Sequence, residues 1–173
     1  IRDFNSDIKF YQASSSEMFG DSVDADNFQR ESTPMTPVSP YGCAKLFGYH
    51  ITRNYRKAYG LFASNGILFN HESPRRGSNF VTSKVIKTAV QIKLGMTDKL
   101  VMGNLDSFRD WGHSRDYVRA MNLILEHKEA DDFVVATGET RSVRELCEMT
   151  FSHLGLKYEE FVVQDPKYMR PEE

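Results

Sequence analysis

No stretch of this sequence is apolar for long enough to span a bilayer. Its start, Ile1-Arg2-Asp3-Phe4, has neither the basic segment nor the apolar segment of a signal peptide. Cysteine is scarce. Cys43 and Cys147 are the only two, and neither has a second Cys or a His at metal-ligand spacing. A disulfide framework and a metal site are therefore not expected, and the thiols read as buried groups in a reducing cytoplasm. An excess of one charge is also lacking. Lys and Arg number 22 against 24 Asp and Glu, a net charge of −2, which argues against a nucleic-acid surface. The 11 glycines form no G-x-G-x-x-G or G-x-x-G-x-x-G turn. The chain also has no initiating Met. These two absences predict an internal piece, cut before a cofactor-binding start.

What is present alternates between two periodicities. Lys9 to Ser14 is strand-like, and residues 20–37 are polar and aperiodic, predicting a long surface loop. Ser39-Pro40 has the form of a helix start, an N-cap hydroxyl followed by proline in the first turn, and Gly60 is placed to stop that helix after Tyr59. Ala63 to Phe69 is strand-like. Phe80 to Leu94 is amphipathic, with Val81, Val85, Ile86, Ala89 and Ile92 on one side, and Gly95 ends it. Lys99 to Met102 predicts a strand. Asp116 to Glu126 predicts a helix with Tyr117, Val118, Met121, Leu123, Ile124 and Leu125 as its apolar side, and Phe133 to Ala136 another strand. Ser142 and Glu145 have capping-box spacing and open a helix that ends near Gly155. Strand and helix alternate four times, which predicts an α/β fold on a largely parallel sheet.

Tyr41 and Lys45 lie four residues apart on the predicted helix and so share a face. An ammonium beside a phenol favours the phenolate, and so a tyrosine able to act as a base. The spacing alone also fits an ordinary surface pair. Ser15 and Glu17 close the preceding strand two residues apart, and in extended backbone they point the same way. Open α/β sheets bind ligands at such strand ends, although a serine-rich turn with a solvated carboxylate would look the same. Pro74-Arg75-Arg76 reads either as a solvated basic turn or as a phosphate contact. Trp111 and His113 read as packing residues, and His50, His127 and His153 as ordinary helix residues.

Taken together, Ser15, Tyr41 and Lys45 resemble the Ser/Thr–Tyr–Lys arrangement of the extended short-chain dehydrogenase/reductases. Longer blocks narrow the resemblance to the GDP-mannose 4,6-dehydratase family. They are Q-A-S-S-S-E-M-F-G ending at Gly20, S-P-Y-G-C-A-K ending at Lys45, G-I-L-F-N-H-E-S-P-R-R-G ending at Gly77, and N-F-V-T ending at Thr82. The blocks at Gly103–Asp106, Arg109–His113, Ala136–Glu139 and Tyr168–Pro171 extend it, so the resemblance covers nearly the whole chain. The Asn70-to-Gly77 block is the most specific of them.

The resemblance implies a partial Rossmann-like, doubly wound parallel sheet with part of a smaller C-terminal substrate-binding lobe. Residues 1–75 would be the C-terminal half of an NADP-binding domain, and residues 76–173 a mixed lobe with returning Rossmann segments. It implies a hydro-lyase that converts GDP-mannose to GDP-4-keto-6-deoxymannose, a precursor of GDP-fucose, with NADP as cofactor. By the same resemblance Tyr41, assisted by Lys45, removes the C4 hydroxyl proton, and Lys45 also holds the nicotinamide ribose. Ser15 bonds the C4 oxygen, and Glu17 takes the C5 proton and helps the C6 hydroxyl leave. His71 and Arg76 are cofactor contacts, with Arg75 beside them. Asn70, Lys84, Arg109, Arg170 and Glu173 are substrate contacts. Family members often carry Thr where Ser15 stands, and serine keeps the hydroxyl. A dimer or tetramer in the cytoplasm is implied, with no nucleic-acid or membrane partner. Two alternatives remain at this point: another nucleotide-sugar epimerase or dehydratase, and an inactive substrate-binding fragment.

Overall fold

The computed structural model describes residues 1–169. It falls into two compact units, each built from two stretches of chain. One comprises residues 1–71 and 112–137, the other residues 72–111 and the chain from Gly138 onward.

The first unit is organised on three parallel strands. Strand β1 (Phe10–Ser15) pairs with β2 (Ala63–Leu68), which pairs with β6 (Asp132–Val135). Helix α1 (Pro40–Tyr59) joins β1 to β2. It begins where the sequence predicts, with the Ser39 hydroxyl accepting the Gly42 N–H at 3.0 Å and Pro40 in the first turn. It ends at Gly60, whose φ of 64° suits glycine and whose N–H reaches the Arg56 carbonyl at 3.1 Å. Strand β2 is buried along its whole length. Its polar residues are accordingly bonded. Asn65 donates to Asp132 at 2.8 Å, and the Ser64 hydroxyl accepts the Asp131 N–H at 3.3 Å. Met18, Phe19, Tyr49 and Ile67 form the core, with Val134 and Phe69 packed against it. Each such side chain contributes on the order of 1.5–3 kcal/mol on full burial.

Residues 20–37 form no strand and no long helix, as expected, but they are tied down. Arg30 binds Asp24 at 2.8 Å and Asp26 at 2.6 Å. Its hydrogen bond holds the Asp26 carboxyl down at about 2. Glu31 accepts the Val134 N–H at 2.7 Å, which anchors the loop to β6.

Helix α3 (Ser114–Glu126) packs on β1, β2 and β6. It starts two residues before the predicted Asp116 because the His113 ring accepts the Arg115 N–H and caps it. Its buried side is also narrower than the predicted stripe. Tyr117 and Ile124 are buried, whereas Val118 and Leu123 are exposed.

In the second unit, α2 (Val81–Lys93) packs against α4 (Val143–His153). Thr82, Val85, Ala89 and Ile92 face the core, and Ile86, predicted on that side, is exposed. Leu100, Met102, Leu105, Val143, Cys147 and Phe151 complete the core. Burial pushes the Cys147 thiol up to about 11, whereas Cys43 is exposed, contrary to the buried thiol expected there. The capping box forms. Ser142 accepts the Glu145 N–H at 3.1 Å, and Glu145 accepts the Ser142 N–H at 2.6 Å. Short strands surround this pair of helices. Strand β4 (Leu100–Met102) runs parallel to β8 (Val162–Gln164), and β5 (Phe108–His113) antiparallel to β7 (Thr140–Ser142). A further short strand, β3 (Asn70–Glu72), the single turn α5 (Tyr158–Phe161) and two 3-10 turns, Ser16–Met18 and Pro166–Tyr168, complete the elements. Among the described residues no helix is long and apolar enough to cross a membrane.

Two tyrosines of the first unit carry a pH signature. Burial raises both Tyr11 and Tyr49 to about 12. The unfolded chain ionises them near pH ~10. The neutral form is therefore favoured by folding, and that contribution is complete below about pH 10 and lost as pH rises through about 12. Urea midpoints should fall across that window. Tyr11 finds no hydrogen-bond partner for its hydroxyl among the described residues, so Tyr11→Phe should fold normally and flatten the decline. An unchanged pH profile in that variant would remove Tyr11 from the account.

Candidate active site

At the C-terminal end of β1 the chain turns into a single 3-10 turn, Ser16–Met18. Ser15 ends the strand, and its hydroxyl accepts the Glu17 N–H at 3.2 Å. The first turns of α1 lie directly against this turn. Gly42 makes the approach feasible, because a Cβ there would stand 2.6 Å from the Glu17 carbonyl oxygen and 2.9 Å from Pro37. The Ser39 hydroxyl, already capping α1, reaches the Glu17 carboxylate with its hydrogen at 3.5 Å. One turn further, Lys45 donates to the Ala13 carbonyl at 2.9 Å. Its ammonium lies 5.5 Å from the centre of the Tyr41 ring. Tyr41 itself is 55% exposed. Ser15, Glu17, Tyr41 and Lys45 thus converge where β1 ends and α1 begins.

The adjacent strand reaches the same end of the sheet. Ser15 pairs with Leu68 in register, and Asn70 and His71 follow in β3. The His71 ring is held by the Phe69 carbonyl at Nδ1, 2.9 Å away, and stacks on Tyr117 with centroids 4.6 Å apart. These six residues belong to the first unit.

Three predicted basic residues lie in the second unit. Arg76 stands 3.1 Å from Glu72, an ion pair that lacks the alignment of a hydrogen bond, and its guanidinium lies 3.6 Å over the Phe80 ring. Glu72 also accepts the Thr82 hydroxyl at 2.6 Å. Lys84 donates to the Val101 carbonyl at 2.6 Å, and its ammonium lies 5.0 Å from the Tyr168 ring centre. Arg109 donates to its neighbour's carbonyl, that of Phe108, at 2.7 Å. Arg170 and Glu173 lie outside the described residues. Among the described residues no cluster of His, Cys, Asp or Glu has the form of a metal site.

The sequence predicts Ser39 only as a helix cap and Tyr117 only as an apolar face. Their further contacts, with Glu17 and His71, are tertiary. Ser39 carries a faint local signal, since a cap two residues before Tyr41 must lie near whatever Tyr41 serves.

The donor set suits a nicotinamide nucleotide. The Lys45 ammonium, the exposed Tyr41 and the exposed Ala13 backbone stand together at the C-terminal end of a parallel strand, where open α/β sheets take such ligands.

A family model described as GDP-mannose 4,6 dehydratase matches residues 1–173. The GDP-mannose 4,6 dehydratase of Homo sapiens is 56% identical over 148 residues, which is 86% of this chain and 39% of that protein. GDP-mannose 4,6 dehydratase 2 of Arabidopsis thaliana is 51% identical over 166 residues, 96% of this chain and 44% of that protein. The chain therefore spans about two fifths of the length of these relatives. Among solved structures, RMD from Pseudomonas aeruginosa complexed with NADPH superposes with a TM-score of 0.85 at 25% identity, over 94% of this chain and 56% of that one. The dTDP-glucose 4,6-dehydratase of Bacillus anthracis in complex with NAD gives 0.81 at 25%, over 91% and 50%. The parallel α/β arrangement predicted from sequence is that of these Rossmann-like neighbours.

Proposed function

The chain belongs to the GDP-mannose 4,6-dehydratase family, and from that premise we propose that it is the catalytic part of an enzyme that dehydrates GDP-mannose to GDP-4-keto-6-deoxymannose. The observation that carries the reading is the meeting of β1 and α1. Lys45 sits on the Ala13 carbonyl beside Tyr41, and Ser39 sits against Glu17. A hydroxyl, a carboxylate, a phenol and an ammonium at one strand end are the groups that oxidation at C4 followed by elimination requires.

Bound NADP would supply the acceptor for a hydride from C4 and return it to C6. The relatives' structures with NADPH and NAD support a nicotinamide cofactor. Lys45 and Tyr41 would hold its ribose, with His71 and Arg76 as further contacts. Tyr41 takes the C4 hydroxyl proton, with the Lys45 ammonium one helical turn away on the same face. Ser15 bonds the C4 oxygen and orients the ring. Oxidation at C4 acidifies the C5 proton, and Glu17 removes it and passes it to the departing C6 hydroxyl, which leaves as water. C5 regains a proton, the one Tyr41 took from C4, as the hydride reaches C6. Asn70, Lys84, Arg109, Arg170 and Glu173 would hold the sugar and the GDP group, the basic residues by charge-assisted bonds to phosphate.

In this reading residues 1–75 carry catalysis and part of the cofactor site. Residues 76–173 carry the substrate lobe together with segments that return to the first. Homo-oligomeric assembly is part of the proposal. Phe47, Ile51, Tyr55 and Tyr59 form an exposed, mostly aromatic stripe at four-residue spacing on α1, a surface of the kind that self-association covers.

The test is turnover by a full-length protein carrying this chain, supplied with GDP-mannose and NADP. The expected product is a 4-keto-6-deoxy sugar nucleotide, identified by mass loss of water and by a 6-methyl resonance. Formation of a C4 epimer with no loss of water would overturn the dehydratase reading.

A further inference from the structure

His71 is held on two sides by groups that do different things. The Phe69 carbonyl, 2.9 Å from Nδ1, can only accept a hydrogen bond, so Nδ1 must carry the hydrogen for that contact to be favourable. In the neutral ring this leaves Nε2 without a hydrogen, and therefore an acceptor. Free imidazole favours the opposite tautomer, so a specific contact is needed to select this one. Tyr117 supplies the second constraint. Its ring lies 4.6 Å from the imidazole at 22° and is 3% exposed, so the plane of His71 is set as well as its tautomer. Gly112 is what allows the Tyr117 ring its place. A Cβ at that position would stand 2.3 Å from Cε2 of the ring.

We infer that Tyr117 is a positioning residue for His71, which it and the Phe69 carbonyl hold with Nε2 presented as an acceptor for an uncharged amide N–H of the ligand. The inference rests on the reading that His71 meets a nicotinamide cofactor. The carboxamide of that group is the amide donor such an acceptor fits. A phosphodiester has no hydrogen to donate and would not be recognised by such an acceptor. The stack explains why an apolar-looking position of α3 holds an aromatic ring set against His71 of β3.

The test has two arms. With ring-labelled histidine in this chain, nitrogen resonances identify the tautomer of His71 without any ligand. The expected result is Nδ1–H in the wild type and in Tyr117→Phe, which keeps the ring. In Tyr117→Leu the Nε2–H form should appear alongside it, as in free imidazole, with the rest of the amide spectrum preserved. Nε2–H in the wild type would overturn the inference, and so would a folded Tyr117→Leu with unchanged tautomer. The wild-type measurement decides even where the leucine variant fails to fold. The second arm uses a full-length protein and compares NADP with its 3-acetylpyridine analogue, which lacks the amide hydrogens. Loss of one hydrogen bond should weaken binding by up to about tenfold in the wild type, and by less in Tyr117→Leu. Equal binding of both nucleotides by the wild type would overturn the acceptor role. Failure to bind NADP at all would instead overturn the cofactor reading, and the tautomer measurement is independent of that failure.

Discussion

Replacing Glu17 by Gln in a full-length protein carrying this chain is expected to lower the rate of water elimination by about 10²–10⁴-fold. The amide has nearly the same shape as the carboxylate, so the 3-10 turn and its contact with Ser39 should persist. What is lost is the ability to take a proton from C5. In the proposed mechanism oxidation at C4 rests on Tyr41 and Lys45 rather than on Glu17, so it should continue. The variant should therefore trap the enzyme midway. Reduced-nicotinamide absorbance should build up on mixing with GDP-mannose, and little dehydrated product should follow. The wild type returns the hydride and should show no such build-up. A variant with full turnover would remove Glu17 from the chemistry. One that fails even to reduce the cofactor would show that the carboxylate serves binding or the fold instead.

That prediction depends on a placement partly legible in the amino-acid sequence. Ser15, Glu17, Tyr41 and Lys45 sit in a short strand, a proline-opened helix and an i, i+4 pair, local contexts that each also fit a plain surface reading, and it is the longer sequence blocks around them that single them out. Helix and strand order is legible too, since α1 and α4 carry side-chain caps and α2 a periodic face ended by Gly95. The short strands β3, β5, β7 and β8 are not. Three-residue strands have no room to show alternation. The six residues of β5 run exposed, half-buried, buried and half-buried again, with no two-residue period. The predicted stripe on α3 is too wide because Val118 and Leu123 are apolar and yet exposed, and composition alone does not separate them from Tyr117 and Ile124. The contacts that position the chemistry were illegible for a further reason. Ser39 with Glu17, Gly42 with the Glu17 carbonyl, and His71 with Tyr117 join residues 22 to 46 positions apart, and no local pattern encodes them.

The same is true of the group that fixes α1 to its sheet. Asp132 opens β6, and its side chain is 7% exposed. Its Oδ1 accepts from Arg56 at 2.9 Å and Asn65 at 2.8 Å, and its Oδ2 accepts from the Tyr49 hydroxyl at 3.0 Å, with Arg53 Nε 3.3 Å away. Three of these partners, Tyr49, Arg53 and Arg56, are on α1, and Asn65 is on β2. A single carboxylate therefore locks the helix that carries Tyr41 and Lys45 onto the strand beside β1. Asp132→Ala should destabilise the fold by about 3–5 kcal/mol, because it leaves the Arg56 guanidinium and the Asn65 amide buried without their acceptor. The neighbour is the control. Asp131 is 72% exposed and lies 3.8 Å from Arg56, so Asp131→Asn should cost no more than about 1 kcal/mol. Chemical denaturation of the two variants side by side measures the difference. Equal midpoints would mean that Asp132 is not what holds α1. A difference would mean that much of the hold of α1, which carries Tyr41 and Lys45, on its sheet comes from one buried carboxylate on β6.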